Sequence, residues 1–386
     1  MPIIKLINGV ISQAIKQRAS DIHFEPYENL FIIRYRIDGI LKEVLSQDSR
    51  IAPLVISRIK IISRLDISER RLPQDGRISL SLGNKRVDVR VSTLPSTYGE
   101  RIVLRLLDKQ SAQINIQQLG LEKKILKNYQ TTLKASEGII LVTGPTGSGK
   151  TTTLYAGLRY LSDSSQNILT VEDPIEYTLK GVGQTQVNSK TGYDFAMGLR
   201  SMLRQDPDVV MVGEVRDQET ARIAIQASLT GHLVLSTVHT NSAVGAITRL
   251  RDMGIESFLL SSSLKTIISQ RLARRLCHQC KVEHQLSSSM AKLFNIKKGT
   301  TVFAAKGCDH CDGTGYVGRI AVAESVQIDA ELKNMIHERA SEQAIAKYAF
   351  QHHLSIDEAG QGLIISGITS AEELIRINNQ KEDVSL

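Results

Sequence analysis

The stretch GIILVTGPTGSGKTTT, residues 138–153, decides the fold of most of this 386-residue chain. An apolar run leads into a glycine-rich turn that lysine and threonine close, in the pattern G-x-x-x-x-G-K-[ST]. A turn of this kind between a strand and a helix directs backbone N–H groups toward phosphate oxygens. The residues expected around the phosphates are Gly144, Pro145, Thr146, Gly147, Ser148, Gly149, Lys150, Thr151 and Thr152.

This turn indicates that the chain binds ATP together with Mg²⁺. Lys150 is expected to reach the β- and γ-phosphates, and the Thr151 hydroxyl is expected to bind the metal ion. The alternative is a glycine-rich turn that arose by chance. The apolar strand before the turn and the helical pattern after it favour phosphate binding.

Strands and helices alternate from about residue 123 onward, which is typical of a parallel sheet with helices on both faces. Helical stretches such as KTTTLYAGLRYL and QETARIAIQASL lie between the apolar segments. The strand candidates are GIILVTG, NILTVED, DVVMVGE and HLVLSTV.

Carboxylates end two of these strands. Glu214 ends DVVMVGE, where it would face the metal ion and the attacking water. Glu172 and Glu176 follow NILTV, at the strand edge where α/β sheets place their ligands. A further strand between the phosphate loop and Glu214 favours an ATPase with a water-polarising glutamate over a nucleotide kinase. The alternative for the middle segment is a turn that Asp173 and Pro174 start.

Two histidines flank the apolar run LVLSTV of the strand candidate HLVLSTV. A polar group at the tip of such a strand can sense the γ-phosphate, and His239 follows the strand directly. His232 precedes the strand, and for it a catalytic and a purely structural role are equally good interpretations.

All four cysteines lie in two CxxC pairs, CHQC and CDHC. Without a secretory signal, this spacing favours a metal over a disulfide, and a redox pair is the alternative. Four thiolates fit tetrahedral Zn²⁺ and leave no position for water, so the sequence predicts a structural zinc site. The expected ligands are Cys277, Cys280, Cys308 and Cys311.

The chain as a whole is predicted to be α/β. RISLSLGNKRVDVRV alternates apolar and polar residues on both sides of Gly83 and Asn84, which indicates a hairpin. The predicted organisation is an α/β domain over 1–110, a linker over 111–122, a P-loop ATPase domain over 123–270, a zinc module over 271–318 and a mostly helical part over 319–386.

Composition limits the choice of partners and compartment. The formal charge of +8 suits anionic partners, but aromatic residues make up only 4% and offer few surfaces on which bases could stack. We therefore expect no stable nucleic-acid partner. No apolar run approaches the ~18–20 residues of a membrane span, and the start lacks a signal-peptide cleavage site. Cytoplasmic residence, without a transmembrane segment, is the expectation.

Four segments in this order resemble the secretion ATPase superfamily of type II secretion, type IV pili and type IV secretion. They look like its Walker A motif, aspartate box, Walker B motif and histidine box: GPTGSGKTTT, LTVEDPIEY, LRQDPDVVMVGEVRD and TGHLVLSTVHTN. Nearly the whole chain from Ile3 is similar to type II secretion ATPases, as four further segments show: ASDIHFEP, RLPQDGRISL, VDVRVSTLPSTYGERIVLRLLDK and RLRDMGIESFLLSSSL.

The resemblance implies a homo-hexamer in which a PAS-like N-terminal domain closes over the nucleotide of a RecA-like domain. Glu214 then matches the Walker B glutamate, and Glu172 is favoured over Glu176 for positioning water. Arginines at the interface would reach the phosphates, and the matching positions are Arg90, Arg105, Arg200 and Arg204.

The resemblance also implies a client and a location. ATP hydrolysis would drive pseudopilus assembly and protein export, with the hexamer held at the inner membrane by platform proteins. The zinc module is typical of type II secretion and pilus-extension ATPases, whereas retraction ATPases lack it. Family members have a further N-terminal docking domain. The sequence opens directly at KLINGVISQAIKQ, which fits either a truncated chain or a member without that domain.

Three other functions remain as alternatives at this point. The first is a pilus-extension or competence ATPase with the same chemistry and another filament as its client. The second is a nucleic-acid translocase, and the third is a zinc-stabilised scaffold that binds nucleotide without turnover.

Overall fold

The computed structural model describes residues 2–82, 85–107, 114–162 and 165–379. The chain divides into two compact units, Met1–Gln113 and Ile114–Leu386. Within the described residues, no helix is both long and apolar enough to span a bilayer.

The first unit is a six-stranded antiparallel sheet with the strand order β3-β2-β1-β6-β5-β4. Alternate residues of its strands, such as Phe24, Ile33 and Leu104, are fully buried against Ile11 and Ile59 of the two helices. The elements are α1 (Pro2–Lys16), β1 (Asp21–Pro26), β2 (Leu30–Ile37), β3 (Ile40–Asp48), α2 (Ala52–Ile62), β4 (Gln74–Leu82), β5 (Lys85–Ser96) and β6 (Gly99–Leu107).

The hairpin predicted from RISLSLGNKRVDVRV is confirmed at the level of its strands. β4 and β5 pair antiparallel from Gln74↔Thr93 to Leu82↔Lys85. The turn residues 83 and 84 lie outside the described residues.

The second unit contains a seven-stranded sheet with the order β15-β12-β7-β11-β10-β8-β9, in which all neighbours are parallel except β15 and β12. Its first elements are α3 (Lys123–Leu133), β7 (Gly138–Thr143), α4 (Lys150–Leu161), β8 (Ile168–Glu172), β9 (Gly183–Gln186), α5 (Phe195–Met202), β10 (Val209–Val212), α6 (Gln218–Leu229) and β11 (Leu233–Val238). The remaining elements are α7 (Ala243–Asp252), α8 (Ser257–Ser263), β12 (Leu264–Leu276), β13 (Val282–Gln285), α9 (Ser288–Leu293), β14 (Thr301–Ala304), β15 (Tyr316–Gln327), α10 (Ala330–His337), α11 (Glu342–His352), α12 (Ile356–Ile365) and α13 (Ala371–Asn379).

The four strand candidates correspond to β7, β8, β10 and β11. Every residue of β7, β10 and β11 is buried, because helices pack on both faces of the sheet. The predicted parallel α/β architecture is therefore confirmed.

β7 leads into the phosphate loop, and β10 is the Walker B strand. The strand that lies between them in the sheet is not β8, the next strand in the sequence. β11 lies between β7 and β10, whereas β8 lies on the far side of β10. The sheet still has the additional strand expected of an ATPase, but that strand is HLVLSTV rather than NILTVED. Chain order does not determine spatial order, because crossover helices can return a strand to either side.

Residues 114–122, which the sequence predicts to be part of a linker, belong to the second unit. Ile116 and Leu121 are buried in its core, and a short 3₁₀ helix spans Ile116–Leu119. Residues 111–113 lie outside the described residues. The apolar side chains of this glutamine-rich stretch are thus sufficient to attach it to the domain that follows.

The boundaries at 270 and 318 also differ from the prediction. β12 continues the ATPase sheet past residue 270 to Leu276, and β15 returns antiparallel beside it from Tyr316. The cysteine-containing segment is therefore an insertion between two neighbouring strands. The last four helices pack on the same unit, as Leu332 and Ile336 show by sharing a core with β10.

Candidate functional site

The phosphate loop connects the end of β7 to the start of α4, at the carboxyl edge of the sheet. Gly144 and Gly149 have φ values of 138° and 88°, a backbone region that favours glycine. A Cβ atom at Gly144 would lie 2.3 Å from the Gln270 carbonyl oxygen. The loop can take this shape only with glycine at that position.

Lys150 lies across the loop with its charge directed at the backbone. Its Nζ donates to the carbonyl oxygens of Gly144, at 2.8 Å, and Pro145, at 3.0 Å. Burial lowers the pKa of Lys150 to about 8, and the Glu214 carboxylate opposes that shift. The lysine is therefore a partly desolvated cation at the position where the family pattern places phosphate oxygens.

Gln270 of β12 joins the loop to its helix. Its Nε2 donates to the Ser148 carbonyl at 2.7 Å, and its Oε1 accepts from the Thr153 hydroxyl at 2.8 Å. No sequence motif indicated a role for Gln270, because Gln270 and Ser148 are 122 positions apart in the chain. The Ser148 hydroxyl oxygen is buried and has no hydrogen-bond partner among the described residues, which fits a loop that binds a polar ligand.

Glu214, which follows β10, is the centre of a charged group beside the loop. Arg216 forms an ion pair with its Oε1, and His239 Nε2 lies 3.6 Å from its Oε2. The pKa of His239 is lowered by burial and next by the Lys150 charge. Three residues predicted from separate motifs, Lys150, Glu214 and His239, thus meet at one edge of the sheet.

Glu172 is buried and its hydrogen bonds come from the protein itself. It accepts from the Tyr155 hydroxyl, from the Thr170 hydroxyl at 2.5 Å and from Gln184 Nε2 at 3.0 Å. With both oxygens engaged, Glu172 is poorly placed to position water, contrary to the preference drawn from the sequence. Glu176, which is half-buried nearby, is the better aspartate-box candidate.

The four cysteine Sγ atoms all lie within 4.8 Å of one another. Three of the separations are 3.9 Å for Cys277–Cys308, 3.8 Å for Cys280–Cys311 and 3.7 Å for Cys308–Cys311. A tetrahedral ion with metal–sulfur bonds of about 2.3 Å requires sulfur–sulfur edges of about 3.8 Å. The four side chains therefore fit one four-coordinate metal ion.

Comparison with known proteins places the chain among the secretion ATPases. Residues 1–376 match the family described as Type II/IV secretion system protein. The chain belongs to this family. The resemblance stated from the sequence motifs is thereby confirmed.

Several secretion proteins are similar to the chain over nearly its whole length. The putative type II secretion system protein E of Escherichia coli K12 is 56% identical over 378 residues, which are 97% of this chain and 77% of that protein. The type II secretion system ATPase E of Vibrio cholerae is 53% identical over 381 residues, which are 98% of this chain and 76% of that protein.

Solved structures share the fold at lower identity. The Legionella pneumophila ATPase DotB has a TM-score of 0.70 at 21% identity, covering 97% of this chain and 95% of that chain. The pilus retraction motor PilT with bound ADP has a TM-score of 0.65 at 27% identity, covering 95% of each chain.

Of the two histidines in the family's histidine box, only His239 reaches the site. His232 precedes β11, and its carbonyl accepts from the Gly138 N–H at the start of β7. The length of β11, roughly 20 Å, separates it from the carboxyl edge. Its Nδ1 lies 3.0 Å from the Ala227 carbonyl oxygen at the end of α6. Of the two interpretations left open for His232, this geometry favours the structural one, in which the residue stabilises a helix terminus.

The family's arginine positions fall on both units. Arg200 forms an ion pair with Glu219 of α6, and Arg204 donates to the Arg200 carbonyl at 3.0 Å. Among the described residues, no hydrogen bond joins either of them to residues 144–152. Arg90 and Arg105 are direct neighbours across β5 and β6 in the first unit. Their approach to a nucleotide stays a prediction.

Sequence reasoning missed three residues that shape the site. Gln270 and Tyr155 act through contacts between distant segments, which no local pattern reveals. Arg216, by contrast, lies two positions after Glu214 in the quoted segment GEVRD. Its charge beside a proposed catalytic carboxylate was a signal that could have been used.

Proposed function

We propose that this chain is the ATP-hydrolysing subunit of a type II secretion system and that hydrolysis drives pseudopilus assembly and protein export. The relatives described above support this proposal by their names and their identity over nearly the full chain. The single observation on which it depends is the meeting of Lys150, Glu214 and His239 beside a glycine-rich loop.

The residues of the site divide the chemistry among them. The loop N–H groups and Lys150 bind the β- and γ-phosphates, and Thr151 would hold Mg²⁺, which neutralises charge on the phosphates when bound. Glu214 orients the attacking water, and Glu176, which follows β8, is the second acidic candidate. His239 lies where it can sense the γ-phosphate, because it contacts the Glu214 carboxylate.

We further propose that the four cysteines hold one structural Zn²⁺. The sulfur–sulfur distances above fit such an ion, and four thiolates leave no position for a reactive water. The ion would join the end of β12 to the start of β15. It would thus stabilise the edge of the ATPase sheet rather than take part in hydrolysis.

The lowered pKa of Lys150 leads to a test of phosphate binding. Above pH 8 a part of the free protein has neutral Lys150, and bound phosphates favour its charged form. We expect ADP binding at pH 8.5 to take up a fraction of a proton and at pH 7.0 to take up almost none from this group. Calorimetry in buffers of different ionisation enthalpy measures that uptake.

The control for this test is Lys150→Arg, which keeps the charge but does not titrate in this range. The extra proton uptake at pH 8.5 should be lost in that variant. Equal uptake in the wild type and the variant would show that another group is responsible.

A homo-hexamer, held at the inner membrane by platform proteins of the secretion machine, is the proposed working form. Arg90 and Arg105 would then complete the nucleotide site from the first unit. We expect Arg90→Ala and Arg105→Ala to lower ATP turnover by about 10²-fold or more, because an arginine on transferring phosphates contributes about 10³–10⁵ in rate.

This expectation is tested in the assembled protein, with its mass measured in solution with and without a non-hydrolysable ATP analogue. Arg50→Ala is the matched control, since Arg50 pairs with Asp48 on an exposed turn of the same unit. Full turnover of the Arg90 and Arg105 variants in an intact hexamer would exclude the assignment.

A further inference from the structure

Arg216 engages the carboxylate on which the proposed mechanism depends. Its guanidinium forms an ion pair with Glu214 Oε1, while His239 lies beside Oε2. A glutamate that orients water must present an oxygen lone pair to that water. In the observed arrangement, the arginine engages one of the two carboxylate oxygens and offsets part of the negative charge that would attract the water.

The structure also provides Arg216 with a second environment. Arg216 forms part of the wall of a cavity of about 270 Å³. The Phe195 ring is 5.9 Å from the guanidinium carbon. The carboxylates that line the cavity are Asp173, Asp194, Asp217 and Glu219. This acidic recess, defined by these four residues, suits a cation that leaves Glu214.

Only one of these four carboxylates is available as a new ion-pair partner for Arg216. Three of them are engaged as helix caps or in an ion pair: Asp194 with the Met197 N–H at 2.8 Å, Asp217 with the Thr220 N–H at 2.8 Å, and Glu219 with Arg200. Asp173 is exposed, and its side chain forms no hydrogen bond or ion pair among the described residues. The pKa of Arg216 is raised chiefly by its hydrogen bond to Glu214, and the Asp173 charge contributes in the same direction.

We propose that Arg216 is a positioning residue for ATP hydrolysis that exchanges Glu214 for Asp173 in each catalytic cycle. Paired with Arg216, the Glu214 carboxylate is partly neutralised and is a weaker acceptor for the water. When Arg216 turns into the acidic recess and pairs with Asp173, Glu214 is released to orient the water. The exchange breaks and forms ion pairs only. It rests on the role of Glu214 in the proposed function.

The position of Arg216 is compatible with such a movement. Its side chain is 59% exposed, whereas that of Glu214 is only 14% exposed. The glutamate is thus the fixed partner and the arginine the mobile one. An ion pair that a largely exposed arginine forms contributes little free energy, so the binding of a ligand can shift the balance between the two partners.

The test is a set of three variants assayed for ATP turnover in the full chain. Arg216→Gln removes the competing cation, and we expect kcat to rise about fivefold, the effect of losing one partly exposed ion pair. Asp173→Asn removes the alternative partner and should lower kcat by about the same factor. The double variant should recover to within about twofold of Arg216→Gln, because Asp173 has no function without the arginine.

Two controls accompany these variants. Arg222→Gln changes an exposed arginine of α6 and should leave turnover unchanged. Arg216→Lys keeps the cation and should remain within about twofold of the wild type. Thermal unfolding of every variant confirms that the fold is retained.

A lower kcat for Arg216→Gln would overturn the proposal, since it would show that the arginine holds Glu214 in its productive position. A defect of Asp173→Asn that persists in the double variant would also overturn it. Glu214→Gln separates this proposal from the proposed function. If that variant hydrolyses ATP normally, the role of Glu214 itself is wrong; if it is inactive, only the exchange is under test.

Discussion

Glu214→Gln is expected to lower ATP turnover by about 10²–10⁴-fold while ATP still binds. Glutamine keeps the shape of the side chain but loses the charge that orients and polarises the attacking water. The position of Glu214, after β10 and beside Lys150 and His239, is where such a charge would act. Phosphate release measures turnover, and a fluorescent ATP analogue measures binding.

Lys150→Ala provides the contrast. It removes the group expected on the β- and γ-phosphates, so both binding and hydrolysis should be lost. Glu137→Gln is the matched control, because Glu137 is exposed and immediately precedes β7 at the opposite edge of the sheet. Turnover of Glu214→Gln within tenfold of the wild type would contradict the assignment and would require another residue to orient the water.

Replacing cysteine ligands is expected to have the largest effect on stability. Cys277→Ser together with Cys308→Ser should abolish metal binding and lower the free energy of unfolding by several kcal/mol, because a structural zinc site contributes its binding free energy to folding. Cys277 directly follows β12, and Cys308 lies in the last part of the insertion before β15. Elemental analysis should find about one zinc per chain in the wild type and almost none in the variant.

His278→Ala and His310→Ala are the controls for this experiment. Their rings contact each other at 5.3 Å beside the cysteines, but four sulfurs already complete the coordination. Zinc content should be unchanged in both. A wild-type protein that retains no zinc after loosely bound metal is chelated, with its thiols oxidised in pairs, would show that the site forms disulfides instead.

The parts of the site that depend on short segments were predictable. The phosphate loop requires glycines, a lysine and a threonine within eight positions, and each CxxC pair brings two sulfurs to one turn. Apolar runs likewise indicated β7, β8, β10 and β11, because strands buried on both faces need continuous apolar sequence. Errors arose where several segments compete for one position, as with Glu172, which Tyr155 of α4 and Gln184 of β9 engage together with a side chain of its own strand.

The sequence by itself determined that the chain has a phosphate loop, a four-thiol cluster and a parallel sheet. Local geometry and periodicity encode these features within a few residues. Only the tertiary structure decided that β11 lies beside β7, that His232 is remote from the loop and that Arg216 pairs with Glu214. Those facts depend on the position in the sheet at which each crossover connection places the next strand. They also depend on which side chains from different segments meet at the carboxyl edge. Such outcomes follow from the packing of the whole unit, because no single segment contains the information about its neighbours.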